Sequence, residues 1–197
     1  MRSFEHCSLL YMAIIKIVSG GQTGVDQAAL DAAIHCGLPH GGWCPKGRKS
    51  EYGVIPPQYA LKETSTTDYL SRTEANVVDS DATLIITPKR LSGGSLRTLE
   101  FCIKHRKPWH HIAFETISKT RAAEQVRDWL AGDCLLNDYE DYDACPPTDC
   151  ILNVAGTRGS KLKVQHNEII NLLLEVIWKA NGTLFYPLHV TPDGCID

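Results

Sequence analysis

The residues best suited to chemistry in this chain of 197 residues gather in four glycine-bearing segments, each directly after an apolar run. The first reads Ser19-Gly20-Gly21-Gln22-Thr23-Gly24-Val25-Asp26 and opens an amphipathic stretch. Glycines there let the backbone bend tightly and approach a ligand, and the first amides of the following helix have no intrahelical acceptor, which favours an anion. Gln22 and Thr23 add neutral donors, and Asp26 is placed to cap the helix or orient the loop. A plain tight turn with an N-cap is the simpler reading of the same residues.

The second segment, Gly41 to Lys49, carries Lys46, Arg48 and Lys49 among three glycines. Lys46 and Arg48 can neutralise an oxyanion, Arg48 in bidentate fashion. Trp43 is either a stacking platform for a planar ring or a core side chain, and Cys44 either a soft ligand or an inert buried thiol. The third segment, Leu91 to Glu100, feeds Gly93 and Gly94 into a helix with Ser95 as N-cap or ligand donor, Thr98 one turn further in, and Glu100 available as an acid or base. The fourth, Asn153 to Ser160, ends in a Gly/Arg/Ser turn.

The elements that must position these segments follow from periodicity. Apolar runs of four to six residues alternate with amphipathic stretches of ten or more, the βαβ signature of a parallel sheet. Strands are expected at Ala13–Val18, Gly41–Cys44, Ala82–Thr87, Pro108–Ala113 and Cys150–Val154, with a shorter one at Tyr59–Glu63. Helices are expected at Asp26–Cys36, Thr67–Asp79, Ser95–His105, Ile117–Ala131 (stopped by Gly132) and Lys163–Ala180. The fold class is therefore α/β, a doubly wound, mainly parallel sheet of about five or more strands in three layers. In such a sheet ligands collect beyond the carboxyl ends of the strands, where the four turns should meet and hold a phosphorylated or oxyanionic small molecule.

Composition narrows the field. With 20 Lys and Arg against 23 Asp and Glu, the net charge of −3 supplies no global attraction to nucleic acid, which is not an expected partner. No apolar run approaches the roughly 20 residues of a membrane span, and Met1 to Lys16 has no signal-peptide cleavage pattern. The eight cysteines follow no framework or zinc spacing; Cys145 and Cys150 are the nearest pair, and reduced thiols in a cytoplasmic protein fit best. One domain is expected over residues 12–182, with an extension at 1–11, an acidic loop at 133–149 and a tail at 183–197. Long helices make a homo-oligomer the expected assembly.

Several motifs together carry a family resemblance: S-G-G-Q-T-G-V-D-Q-A-A-L-D-A-A from Ser19, G-W-C-P-K-G-R from Gly42, R-T-E-A-N-V-V-D-S-D-A-T-L-I from Arg72, and L-N-V-A-G from Leu152. The chain resembles the putative molybdenum carrier family from about Ile14 to Ala180. That family belongs to the Rossmann-like superfamily of the lonely-guy phosphoribohydrolases and DNA-processing protein A. The resemblance implies a Rossmann-like fold and carriage of molybdenum cofactor or molybdate, and the convergence of the turns at one sheet edge puts Ser19, Gly20, Gly21, Gln22, Thr23, Gly24, Asp26, Trp43, Lys46, Arg48, Gly93, Gly94, Ser95 and Thr98 around the ligand. The phosphoribohydrolase alternative implies N-glycosidic cleavage by Arg72 and Glu100. Arg72 and Asp81 stand nine apart as in that pattern, whereas Leu96 and Arg97 depart from its G-G-x-G-T core. Single-stranded DNA binding is the third implication, opposed by the acidic balance.

Overall fold

The computed structural model of the protein describes residues 13–131 and 149–182. The expected extension, acidic loop and tail, the Gly132 stop and Cys145 lie outside the described residues. Five strands form the central sheet: β1 (Ala13–Val18), β2 (His40–Gly41), β7 (Ala82–Thr87), β8 (Trp109–Ala113) and β9 (Asp149–Gly156), in the order β2-β1-β9-β7-β8 with every pairing parallel. All six residues of β7 are buried, as a central strand covered on both faces requires. The fold is a Rossmann-like α/β fold.

Two helix groups cover the sheet. Helices α1 (Val25–His35), α4 (Lys119–Leu130) and α5 (His166–Asn181) pack together, and α2 (Tyr69–Val78) packs with α3 (Gly94–Lys104). On α1 the buried face is made of Ala28, Ala29, Ala32 and Ala33, side chains small enough to let it lie close against β1 and α5. On α5 the facing stripe is Leu172, Leu173, Val176 and Ile177. Side chains cap the helices where the sequence offers them: Asp68 accepts from the amides of Leu70 and Ser71, Ser118 from that of Arg121, and Gln165 with Glu168 forms a capping box. Asn181 fixes the end of α5 to β1, accepting from the Ile14 amide at 2.7 Å and donating to its carbonyl at 3.1 Å.

Two expected strands differ. Gly41–Cys44 is split at Gly42, whose φ of +121° turns the chain out of the sheet, and a Cβ there would stand 2.3 Å from the Ser19 carbonyl oxygen. The residues beyond it, β3 (Trp43–Cys44), pair with β6 (Lys62–Glu63) in a separate two-stranded ribbon, so only Lys62–Glu63 of the expected Tyr59–Glu63 strand forms. Between them in sequence stands a hairpin of β4 (Lys49–Ser50) and β5 (Gly53–Val54), strands too short to show a period.

Strand order decides where the site lies. The last strand among the described residues, β9, is central in space, between β1 and β7. Counted cyclically from β9, the strands β9, β1, β2, β7, β8 become 1 to 5 and the sheet reads 3-2-1-4-5, the start of the Rossmann order. The topological switch point, where chain connections diverge to either side, is thus the carboxyl end of β9 and not that of β1.

Candidate functional site

At that end of the sheet a cleft of about 330 Å³ lies among the segments leaving β7, β8 and β9, lined by Pro88, Lys89, Arg90, Ser92, Glu115, Thr157, Lys161 and Lys163. Four cations face one carboxylate, and Lys89 stands 3.8 Å from Glu115 across an exposed contact. A pair so exposed to solvent leaves most of the positive field available to a ligand. The hydroxyls of Ser92 and Thr157 add directional donors.

The turn after β9 forms one wall and leans on the turn after β1. The Val25 amide donates to the Thr157 carbonyl at 3.2 Å, and the Gly159 amide to the Thr23 carbonyl at 3.1 Å. Gly24, at φ +86°, permits this approach: a Cβ on it would come within 2.5 Å of the Thr157 carbonyl oxygen.

The turn after β1 was expected to hold its amide hydrogens open toward a ligand, and two of them, those of Gln22 and Thr23, are instead taken by the protein's own side chains. Its own side chains fill it. The Gln22 amide donates to Asp26 Oδ2 at 3.3 Å, and the Thr23 amide to Gln22 Oε1 at 3.0 Å. Arg72 reaches from α2 to Asp26 Oδ2 at 3.0 Å, with side-chain exposures of 12% and 4%. Its guanidinium lies so close over Gly20 that a Cβ there would stand 1.6 Å from Nη1. Burial pushes the Asp26 carboxyl above the ordinary carboxylate range, while Arg72 and the amides of Gln22 and Gly156 pull it back. Ser19 is buried and donates its hydroxyl to the Val154 carbonyl at 2.6 Å, and Gly21 faces Leu61 and Ile55.

The remaining expected site residues fall into separate places. Arg48 donates to the carbonyls of Ile55, Pro56, Tyr59 and Leu61, which uses its fork to hold the 55–61 loop. Lys46 is exposed on the segment between β3 and β4. Trp43 is half-buried; Asn76 binds its backbone amide and carbonyl, its indole donates to Asp79 at 2.6 Å, and Lys62 sits 5.7 Å from its ring. It lines a second cleft of about 230 Å³ with Lys16, Gly42 and Lys62, away from the cleft at β9. Ser95 is not the N-cap of α3; Gly93 holds that position, and the Ser95 hydroxyl bonds the amide and carbonyl of Ser92. Thr98 donates to the Gly94 carbonyl. Gly93 and Gly94 themselves are exposed, beside Ser92 and the cleft. Arg72 and Glu100 are turned to different partners, since Glu100 pairs with Arg97 on the exposed face of α3.

Lys89, Arg90, Lys161 and Lys163 were not among the expected site residues. Their one sequence signal is position: each pair follows within a few residues of the end of an apolar strand, at Thr87 and at Gly156. Cys44 is buried and burial pushes its thiol up, so it is an unreactive core group. Among the described residues no group of three or more His, Cys, Asp or Glu side chains is arranged to hold a metal ion. Among the same residues no helix is long and apolar enough to cross a membrane.

Residues 17–139 match the family described as cpYpsA, the circularly permutated YpsA SLOG family. The chain belongs to this family. The cyclic renumbering that restores the Rossmann strand order is in keeping with the permutation in that description. A crystal structure of the putative molybdenum carrier protein from Syntrophus aciditrophicus SB is similar at a TM-score of 0.67 and 41% identity, covering 87% of this chain and 97% of that one. None of the curated proteins matches the chain.

Proposed function

We propose that this family member binds a phosphorylated or oxyanionic small molecule in the basic cleft at the carboxyl end of β9, and that it carries the ligand without converting it. The observation that supports this reading best is the set of four cations facing a single carboxylate at the switch point of the sheet. Lys161 and Lys163 hold the anion from the β9 side, Lys89 and Arg90 from the β7 side, and Ser92 and Thr157 orient it. Arg90 supplies the planar fork that pairs with two oxygens at once.

The size of the cleft supports the larger of the two molybdenum species that the resemblance implies. A cleft of about 330 Å³ falls in the range of roughly 300–1,000 Å³ that holds whole organic ligands, and bare molybdate would leave most of it to water. Molybdenum cofactor, a pterin bearing a phosphate, has both the anion and the body to fill it. The similar protein named a molybdenum carrier supports a molybdenum-bearing ligand and is equally consistent with either species. The phosphoribohydrolase alternative needs Arg72 and Glu100 on one ribose, and their separate ion pairs speak against it. Free, buried Cys44, Cys102 and Cys150 suit a reducing, cytoplasmic setting.

Calorimetric titration against molybdenum cofactor, molybdate and inorganic phosphate tests the reading. Charge-assisted hydrogen bonds are worth about 1.5–3 kcal/mol each, so Lys161→Ala with Lys163→Ala should weaken cofactor binding at least about tenfold. Binding indifferent to that double substitution, or no binding of any of the three, would reject it.

A further inference from the structure

One carboxylate at this rim occupies a seat built for an anion. Glu51, in the turn of the β4–β5 hairpin, accepts from the Thr23 hydroxyl, from the Ser160 amide at 2.9 Å and, at its other oxygen, from the Ser160 hydroxyl at 2.6 Å. Partial burial works against its charge, yet the hydrogen bonds from Ser160 and Thr23 and the nearby Arg158 hold its carboxyl below the usual range. The donors come from the two turns that meet at the switch point, and Ser160 lies between Thr157 and Lys161, both of which line the basic cleft. Gly159 keeps the seat open, since a Cβ on it would stand 2.9 Å from the Thr23 hydroxyl and 3.3 Å from Glu51 Oε1.

The tip of the hairpin that delivers Glu51 is lightly attached, whereas its base is held by the fully buried Ile55, whose amide donates to the Arg48 carbonyl at 2.7 Å. Its strands contribute two residues each, and a hairpin so short is not stable by itself. Tyr52 and Val54 are 73% and 74% exposed, so these side chains do not anchor the tip. What docks the turn to the body is Glu51: its carboxylate on Thr23 and Ser160, and its amide on Gln22 Oε1 at 2.9 Å.

The geometry points to the Thr23–Ser160 seat as a second anion subsite, closed by Glu51 on the β4–β5 strap until an oxyanion group of the ligand displaces it. The inference rests on the basic cleft as the ligand's main site, and it adds that the ligand carries an oxyanion reaching Ser160, next to Lys161. Ligand binding and hairpin release are then one coupled event, because two anions cannot share three donors.

The test uses the full chain with inorganic pyrophosphate as probe, in the wild type, Glu51→Gln, Glu51→Ala and Lys161→Ala. Affinity is measured by calorimetry and hairpin release by amide hydrogen exchange at residues 49–54. Glu51→Gln keeps an acceptor in the seat and guards against a folding defect in Glu51→Ala. The inference expects both Glu51 variants to bind pyrophosphate at least tenfold more tightly than the wild type, and the probe to speed exchange at 49–54 in the wild type. A general gain from removing one negative charge would tighten binding without moving that exchange, and this result overturns the strap. If the wild type binds through Lys161 but the Glu51 variants bind no better, the strap falls and the basic cleft stands. If Glu51→Ala, with its seat emptied, also fails to bind, both fall.

Discussion

Arg72 and Asp26 form the most consequential pair among the described side chains, because both are nearly buried and each is the other's only countercharge in an ion pair at 3.0 Å. Removing one partner of a buried pair leaves an uncompensated charge, at a cost of about 3–5 kcal/mol. Arg72→Met should therefore destabilise the protein by about that much in urea unfolding at pH 7. Adding Asp26→Asn should recover a large part, since the orphaned charge is then gone. A loss below about 1 kcal/mol would mean the pair is not the internal anion–cation plug described above. At this scale the sequence was partly legible. Glycines 20, 21 and 24 announce a close approach of backbone and neighbour because only a missing Cβ permits it, and the structure brings Arg72, Leu61 and the Thr157 carbonyl against them. What fills those approaches was not legible, because Arg72 is 46 residues from Asp26 and nothing local links them. The same holds for Lys89, Arg90, Lys161 and Lys163: separate short basic runs gain meaning as one field only after the strands are ordered.

Among the elements, the edge strand β8 carries a pH-sensitive burden. His110 is 8% exposed, stacks on Trp129 of α4 at 5.4 Å between ring centres, and has a buried Nε2 without a hydrogen-bond partner. Burial, helped by the neighbouring His111, pushes its pKa down from 6.5 to about 4. The unfolded chain therefore takes up this proton first, so the contribution of neutral His110 is complete above about pH 6.5 and is lost as the pH falls toward 4. The gap corresponds to on the order of 3 kcal/mol. His110→Phe keeps a ring against Trp129 and removes the titration, so between pH 7 and 4 it should lose about that much less stability than the wild type in urea unfolding. Parallel losses in the two proteins would refute the assignment. Strands such as Ala82–Thr87 and helices such as α1 were legible because their apolar periods are long and unbroken. The split at Gly42 was not, since Gly41–Cys44 is too short to show a period and only the φ at Gly42 separates two sheets.

At the scale of the whole molecule, the central fact is that β9, the last of the described strands, lies in the middle of the sheet. A parallel α/β architecture was readable from the alternation of strand and helix periods, but periodicity does not order strands, so the first turn after β1 drew the functional expectation that topology gives to the turn after β9. The ligand site follows from that order: the cleft, its cations and the Glu51 strap all sit where connections diverge around β9. The most direct test is a map of backbone amide shifts by nitrogen–proton NMR as inorganic phosphate is titrated into the protein. The account predicts that the largest shifts fall in residues 87–92, 113–116 and 157–163, on three strand ends that only this fold brings together. Shifts confined to residues 19–26, or spread without a focus over the surface, would contradict it.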